Sequence, residues 1–186
     1  MSERNDWFFN ELEGASDAQA RRIEQFLIRE ARLLDARHYA AWADCLHDDF
    51  RYVVLNRFTP ESRGKLPENS VDTEFHTERA LQFVEDTKGS IEKRLQRYTS
   101  GLSFSENPAG RTLRMVSNIE VGSDSHGFIV RSYVHCNRTR KDNVSEDYYA
   151  CRKDRVVEHA GSLVLTQRHV LLNDTVLNAP ALGIFL

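Results

Sequence analysis

The chain has few of the residues and motifs that mark a catalytic or metal-binding protein. Its 186 residues include three cysteines, and no pair of them has the C-x-x-C spacing. The sequence also has no G-x-S-x-G nucleophile motif, no H-E-x-x-H zinc motif and no glycine-rich phosphate loop. Cys45, Cys136 and Cys151 cannot all pair, so in a reducing compartment we expect free, buried thiols.

The chain also lacks a strong charge of one sign and a long apolar run. Its formal net charge of −3 gives no electrostatic reason to expect nucleic acid or an anionic membrane as a partner. No apolar run reaches the ~20 residues that span a bilayer. The N-terminal MSERNDWFFNELEG is acidic and lacks the basic-then-apolar pattern of a signal peptide. We therefore expect a cytoplasmic protein with no membrane association.

What is present is a helical N-terminal part. Apolar residues recur at three- and four-residue spacing over 23–34, which predicts an amphipathic helix with one buried face. Ser16 and Gln19 form a capping-box pattern ahead of it. A short second helix is predicted over 39–46, followed by a strand over 50–55. A third helix is predicted to open at Thr87 or Ser90 and to run to Tyr98.

From Arg111 onward the pattern is almost wholly β. Strands are predicted over 112–121, 128–139, 146–157 and 163–172, with a bulge between Met115 and Val116 where the apolar parity changes. The apolar end 182–186 is expected to lie in the sheet or in another subunit. The fold class is therefore α+β, with N-terminal helices packed in a strongly curved antiparallel sheet. We expect an N-terminal arm over 1–16 and a single domain over 17–186.

Metal motifs fail on spacing. Cys45-Leu-His47 supplies the C-x-H half of a Rieske ligand set, but neither Cys136 nor Cys151 has a histidine three residues on. His47 and Asp49 begin an H-x-D iron motif that His169 could complete, yet His47 lies at a predicted helix end. These spacings therefore predict no metal-binding residue on this chain.

Acid–base chemistry inside a curved sheet is the remaining catalytic hypothesis, because a buried polar group can have its pKa shifted. Each candidate has a competing and favoured interpretation as a polar residue that is satisfied in the core or at a subunit contact. The candidates are Asp35, Tyr39, His76, His135, His169 and Asp174.

Four blocks of sequence, in order from about Ile23 to the C-terminus, resemble the small (β) subunit of aromatic-ring-hydroxylating dioxygenases. The third block is Arg152-Lys-Asp154, and the second and fourth span 111–118 and 168–177. Leu163 and Asn173 depart from the family pattern, which has tryptophan and aspartate there. The first block consists of Glu30, Ala31, Leu33, Leu34, Asp35, Trp42, Asp48, Asp49 and Tyr52.

The resemblance implies a cone-like fold of the nuclear transport factor 2 and scytalone dehydratase type. It also implies that a large subunit carries a Rieske [2Fe–2S] cluster and a mononuclear iron, while the small subunit carries neither. The resemblance thus implies that this chain has no catalytic, cofactor-binding or metal-binding residue. The expected assembly is α3β3 around a small-subunit trimer, supplied with electrons from NAD(P)H through a reductase and often a ferredoxin. Its reaction would add O₂ to an aromatic ring in aromatic hydrocarbon catabolism.

Contact residues would then be the functional residues of this chain. Exposed aromatic or loop character suggests Trp7, Phe8, Phe9, the 56–74 loop, the 138–147 hairpin and the apolar C-terminal end. Two alternatives stay open: a free-standing cone-fold isomerase, cyclase or dehydratase, and a ligand-binding or oligomerisation module. A cone interior plugged by Leu, Phe and Trp side chains would favour the subunit. The sequence does not specify the aromatic substrate.

Overall fold

A computed structural model gives the structure of the chain and describes residues 11–59, 74–75, 82–99, 110–140, 144–175 and 183–186. The predicted contacts at Trp7, Phe8 and Phe9, most of the 56–74 loop and the tip of the 138–147 hairpin lie outside these residues, as does His76.

The first helix, α1, spans Asp17–Asp35 and buries the predicted face, including Ile23, Leu27 and Leu34. The predicted capping box is confirmed: the Ser16 hydroxyl accepts from the Gln19 backbone N–H, and the Gln19 side chain accepts from the Ser16 backbone N–H. Both bonds satisfy donors that a helix start leaves open. None of the helices in the described ranges is long and apolar enough to cross a membrane.

Shorter elements connect α1 to the sheet. Helix α2 spans Tyr39–Ala43 and strand β1 spans Leu46–Leu55, so β1 begins four residues earlier than the sequence pattern indicated. Strand β2, Val84–Thr87, was not predicted, and helix α3, Lys88–Thr99, follows it directly. The predicted third helix is confirmed.

The remaining four strands are long and follow the predicted ranges. They are β3 (Arg111–Asp124), β4 (Gly127–Arg140), β5 (Val144–His159) and β6 (Ser162–Leu172). The strand order is β2-β1-β6-β5-β4-β3, and the β1–β6 pair is parallel while the other pairs are antiparallel. The α+β class is confirmed, but the sheet is mixed rather than antiparallel throughout. The sequence could not reveal this, because β1 and β6 are far apart in the chain and meet only through tertiary packing.

The bulge in β3 lies between Ser117 and Glu120, where Asn118 has a positive φ of 50°. The predicted position between Met115 and Val116 is wrong, since both residues pair in regular register with His135 and Val134. The parity change in the sequence has another cause. Leu113 and Met115 are apolar but face outward, with 63% and 53% of their surface exposed.

The core lies between α1 and the inner face of the sheet. Alternate residues of β4, beginning with Phe128 and Val130, point into it, as the period-2 pattern predicts. The end of the chain joins the same core: Ile184, Phe185 and Leu186 are all buried. The predicted burial of the apolar C-terminal end is therefore confirmed for these residues.

Candidate functional site: a buried ion quartet inside the cone

Four fully charged side chains meet in the interior of the cone, and we call them the ion quartet: Glu30, Arg152, Asp154 and Arg168. Glu30 comes from the buried face of α1, Arg152 and Asp154 from β5, and Arg168 from β6. Arg152 and Asp154 share the inner face of β5 because they are two residues apart, and Asp154 lies directly opposite Arg168. Each of the four has at most 2% of its surface exposed.

The Arg168 guanidinium is the centre of the quartet. Its Nε and Nη2 donate to the two Asp154 carboxylate oxygens at 2.9 Å each, a bidentate pair. Its Nη1 also donates to Glu30 Oε1 at 2.8 Å. Glu30 Oε1 accepts a second bond from the Trp42 indole N–H at 2.7 Å. The carboxylates are thus held by several donors, as buried charges require.

Arg152 completes the quartet more loosely. Its Nε donates to the Ser132 hydroxyl at 3.2 Å, and its Nη1 lies 3.8 Å from Glu30 Oε2. Its Nη2 is buried and has no hydrogen-bond partner among the described residues. Two carboxylates and two guanidinium groups make the quartet electrically neutral, which limits the cost of burying it.

Glu30 and Arg168 do not titrate near neutral pH. Burial raises the pKa of Glu30, but the charges of Arg168 and Arg152 and the bonds from Arg168 and Trp42 outweigh burial and lower that pKa to about 2. Burial lowers the pKa of Arg168, yet Asp154 and Glu30 raise it well above its usual value. Both groups therefore stay ionised at physiological pH, which suits a fixed structural charge rather than an acid–base catalyst.

The chain's own tail fills the space beside the quartet. The Phe185 ring packs on Trp42, with centroids 4.7 Å apart, and lies 3.9 Å from the Arg94 guanidinium carbon. The Leu186 N–H donates to the Tyr52 hydroxyl at 3.1 Å, and the Leu186 carbonyl accepts from Arg168. The interior is thus occupied by Phe, Leu and Trp side chains.

A cavity of about 30 Å³, which is room for one water, remains beside the tail. Tyr39 lines it together with Tyr98, whose hydroxyl donates to the Gly183 carbonyl at 3.2 Å. Asp35 is nearby and already bonded: it accepts from the Thr112 hydroxyl at 2.9 Å and from the Arg114 N–H at 2.8 Å. Asp35 of α1 thus contacts β3, and the Tyr39 ring lies 6.2 Å from that of Tyr98, centroid to centroid.

The other acid–base candidates do not converge on this interior. His135 lies on the outer face of the sheet, 2.7 Å from Asp147, and stacks on Tyr149. His169 shares that face through its pairing with Val53 and Lys153, and burial together with the Lys153 charge lowers its pKa. Asp174 is exposed at the end of β6. The five candidates that the structure describes thus do not form one site.

The metal motifs are also dispersed. His47 is the second residue of β1 rather than the end of a helix, and its ring centroid is 5.1 Å from that of His159. His169 pairs opposite Val53, six residues further along β1 and thus roughly 20 Å from His47. No group of three or more His, Cys, Asp or Glu side chains that could hold a metal ion occurs within the described ranges. The three cysteines are free and buried, and burial raises the pKa of each thiol, for Cys151 to about 11.

The ion quartet was not identified as a site from the sequence, although each member lies in one of the resemblance blocks. The available signal was strand parity. Arg152 and Asp154 occupy positions of β5 that share the inward parity of Ala150, and charged residues at such positions indicate a buried polar network. Recognising the network as neutral required knowing that Glu30 of α1 reaches the same point.

Comparisons with known proteins identify the family of the chain. A family described as "Ring hydroxylating beta subunit" matches residues 29–179. The chain is 30% identical over 168 residues to the biphenyl 2,3-dioxygenase subunit beta of Rhodococcus jostii (strain RHA1), covering 88% of this chain and 86% of that one. It is 33% identical over 167 residues to the N,N-dimethyl phenylurea N-demethylase subunit beta of Sphingobium sp. (strain YBL2), covering 87% and 88%.

Solved structures show the same fold. A naphthalene 1,2-dioxygenase chain superposes with a TM-score of 0.80 at 23% identity, covering 97% of this chain and 90% of that chain. A scytalone dehydratase-like protein from Novosphingobium aromaticivorans gives a TM-score of 0.59 at 19% identity, covering 84% and 85%. The predicted cone-like fold is confirmed. With the family match spanning most of its length, the chain belongs to the β subunits of ring-hydroxylating dioxygenases.

Proposed function

We propose that this chain is the non-catalytic, structural subunit of a multicomponent dioxygenase that adds O₂ to an aromatic ring in aromatic-compound catabolism. Its task is to support an iron-bearing large subunit. The chain itself contributes no catalytic, cofactor-binding or metal-binding residue. Family membership shows an oxidoreductase assembly. The proposal adds that the iron lies on the large subunit and that this chain has a supporting role.

The filled interior of the cone carries this proposal. A free-standing isomerase or dehydratase of this fold needs an accessible cavity with a titrating acid or base. Here Trp42, Phe185 and Leu186 occupy the interior, and Glu30 is held ionised by Arg168 and Arg152. A side chain that stays ionised and bonded in a packed core cannot exchange a proton with a substrate.

The donor set of the chain supports placing the cofactors on the partner. A Rieske cluster needs two Cys and two His ligands in the C-x-H and C-x-x-H pattern. Cys45 is buried with its thiol directed at the Ala41 carbonyl, and the C-x-x-H half is missing from the sequence. We therefore assign the [2Fe–2S] cluster and the mononuclear iron to the large subunit, with NAD(P)H consumed by a reductase, often through a ferredoxin.

The assembly that we propose is α3β3, built on a trimer of this chain, and its location is the cytoplasm. Within this chain, residues 17–186 form one domain that follows an N-terminal arm over 1–16. Neither nucleic acid nor a membrane is a proposed partner.

The N-demethylase relative suggests a second candidate reaction, oxidative removal of an N-methyl group from an aryl urea. Substrate assays should therefore include N-methylated aryl ureas beside unsubstituted and carboxylated arenes.

Affinity purification from the native host tests the proposal. The tagged chain should retain a partner of roughly twice its mass, and the complex should be brown with Rieske-type absorption. The same chain expressed alone should be colourless and free of iron. A colourless preparation without a large partner would refute the subunit role, and iron bound stoichiometrically to the isolated chain would refute the assignment of cofactors.

A further inference from the structure

Residues 183–186, which we call the tail, lie inside the cone as a bound ligand would. Side chains from α3, β1, β3 and β6 hold the tail backbone. The Tyr98 hydroxyl donates to the Gly183 carbonyl at 3.2 Å, and the Tyr52 hydroxyl accepts from the Leu186 N–H at 3.1 Å. A strand pairs its backbone with other backbone, whereas convergent side chains are typical of a ligand site.

The surroundings of the Phe185 ring suit an aromatic group. The Trp42 ring lies 4.7 Å away, centroid to centroid, and the Tyr52 ring meets it edge-on at 5.9 Å. The Arg94 guanidinium carbon lies 3.9 Å from the ring centre, which is a cation–π contact. A saturated group of the same size would gain less from these contacts. The adjoining cavity of about 30 Å³ leaves room for a slightly larger group.

Guanidinium donors recognise the carbonyl groups of the tail. Arg114 Nε and Nη2 donate to the Phe185 carbonyl oxygen at 3.1 Å and 2.8 Å. Arg168 Nη1 donates to the Leu186 carbonyl at 3.3 Å. In phenylalanine the ring and the carbonyl group are separated by Cβ and Cα. The site therefore recognises an aromatic ring and a hydrogen-bond acceptor at this fixed spacing.

The charges around the tail favour a neutral ligand. Arg94 Nη1 lies 3.2 Å from an Asp86 carboxylate oxygen, and Arg114 pairs with Asp35. These guanidinium groups are thus already compensated by carboxylates of the chain. A ligand carboxylate would lose its hydration on entering the core and would meet cations that already have an anionic partner. A neutral carbonyl group, such as that of an amide, accepts the same hydrogen bonds at a smaller cost.

We propose that the space filled by the tail is a binding site for a neutral aromatic amide or a short aromatic peptide, and that the tail is its resident occupant. A ligand of this class displaces the tail, places its ring between Trp42 and Arg94, and accepts from Arg114. The inference goes beyond the proposed function and does not depend on it. Because tail and ligand compete, the apparent affinity for the ligand rises with the fraction of chains whose tail has left the site.

Calorimetric titration of the full chain with 3-phenylpropanamide tests the proposal, because this amide has the ring-to-carbonyl spacing of phenylalanine. Phe185→Ala weakens the hold of the tail and leaves the rest of the site in place, so it should bind the amide at least about tenfold more tightly than the wild type. Phe128→Ala is the matched control and should bind as the wild type does. Phe128 is also buried, but it lies eight residues along β4 from Cys136, which pairs with Arg114, and thus roughly 26 Å away.

Two related compounds test which groups the site recognises. 3-Cyclohexylpropanamide has no π system and should bind Phe185→Ala about three- to tenfold more weakly than the phenyl amide. 3-Phenylpropanoate keeps the ring but carries a charge, and it should bind at least about tenfold more weakly. Equal binding of the three compounds would overturn the inference, because it would show a cavity without recognition.

A second variant and a second measurement cover the loss of folding in Phe185→Ala, which circular dichroism detects. Phe185→Leu keeps an apolar side chain without the ring and should also bind the amide more tightly than the wild type. In the wild type, the amide should accelerate hydrogen exchange of residues 183–186 and leave exchange over 128–134 unchanged. A folded Phe185 variant with no gain in affinity, or tail exchange that stays the same in the amide-bound chain, would overturn the inference. Neither result bears on the subunit role, which purification of the complex tests.

Discussion

Glu30→Gln should destabilise the protein strongly while leaving the shape of the side chain unchanged. Glutamine keeps the volume of Glu30 and can still accept from the Trp42 indole, which lies 2.7 Å away. What it removes is one of two negative charges facing the guanidinium groups of Arg168 and Arg152. The quartet then has a net positive charge in a core where Arg152 and Arg168 are each 1% exposed.

Two routes give the magnitude. The pKa of Glu30 falls from 4.5 to about 2 on folding. Such a change corresponds to about 3 kcal/mol of unfolding free energy at neutral pH, because each tenfold change in an equilibrium constant is worth about 1.4 kcal/mol. Removing one partner from a buried ion pair typically costs about 3–5 kcal/mol, which agrees. A loss of about 3 kcal/mol lowers Tm by about 6–12 °C in a chain of this length.

The pH dependence follows from the sign of the change. Because the pKa of Glu30 is lower in the folded state, its contribution is complete above about pH 4.5 and is lost as the pH falls toward about 2. Thermal melts of both proteins between pH 7 and pH 3.5 should therefore show the difference in Tm narrowing at the acidic end. Wild type and variant must be compared at one protein concentration, since assembly affects Tm.

Glu24→Gln is the matched control on the same helix. Glu24 pairs with Arg21 at the surface, where side chains 37% and 68% exposed make an ion pair worth less than about 1 kcal/mol. If Glu30→Gln and Glu24→Gln melt within about 2 °C of each other, the quartet does not stabilise the fold as argued. A double variant with Arg168→Gln should lose less than the sum of the single variants, because it restores neutrality.

Two further predictions concern the tail and the thiols. Phe185→Ala should lower the free energy of unfolding by about 3–5 kcal/mol, because it empties the space between Trp42, Tyr52 and the Arg94 guanidinium. Denaturant unfolding measures this loss, and Phe185→Leu should lose clearly less stability. Equal losses for the two variants would contradict packing as the cause. Fewer than one thiol per native chain should react with a disulfide reagent within minutes at pH 8, because all three cysteines are buried and burial raises the pKa of their thiols. All three thiols should react when the chain is unfolded in guanidinium. Fast reaction of the native chain would contradict the burial of Cys45, Cys136 and Cys151.

The sequence pattern identified the family, but it did not identify the ion quartet as a site. Glu30, Arg152, Asp154 and Arg168 all lie in the blocks that carry the resemblance, yet only their meeting in space shows why those blocks contain them. The cavity candidates were selected for their chemistry alone. His135 lies on the outer face of the sheet, since a period-2 pattern gives the parity of a residue but not which side is the core.

The sequence by itself determined the elements that depend on near neighbours. The capping box at Ser16, the buried stripe of α1, the alternation along β4 and the burial of residues 184–186 all follow from local spacing and hydrophobicity. The tertiary structure alone decided what depends on distant residues. The parallel pairing of β1 with β6 and the ion pair of Arg168 with Glu30 each join two segments that are more than a hundred residues apart. The outward position of Met115 depends on which of the two sheet faces covers the core. Local periodicity is the same on either side of a sheet, so only packing fixes those choices.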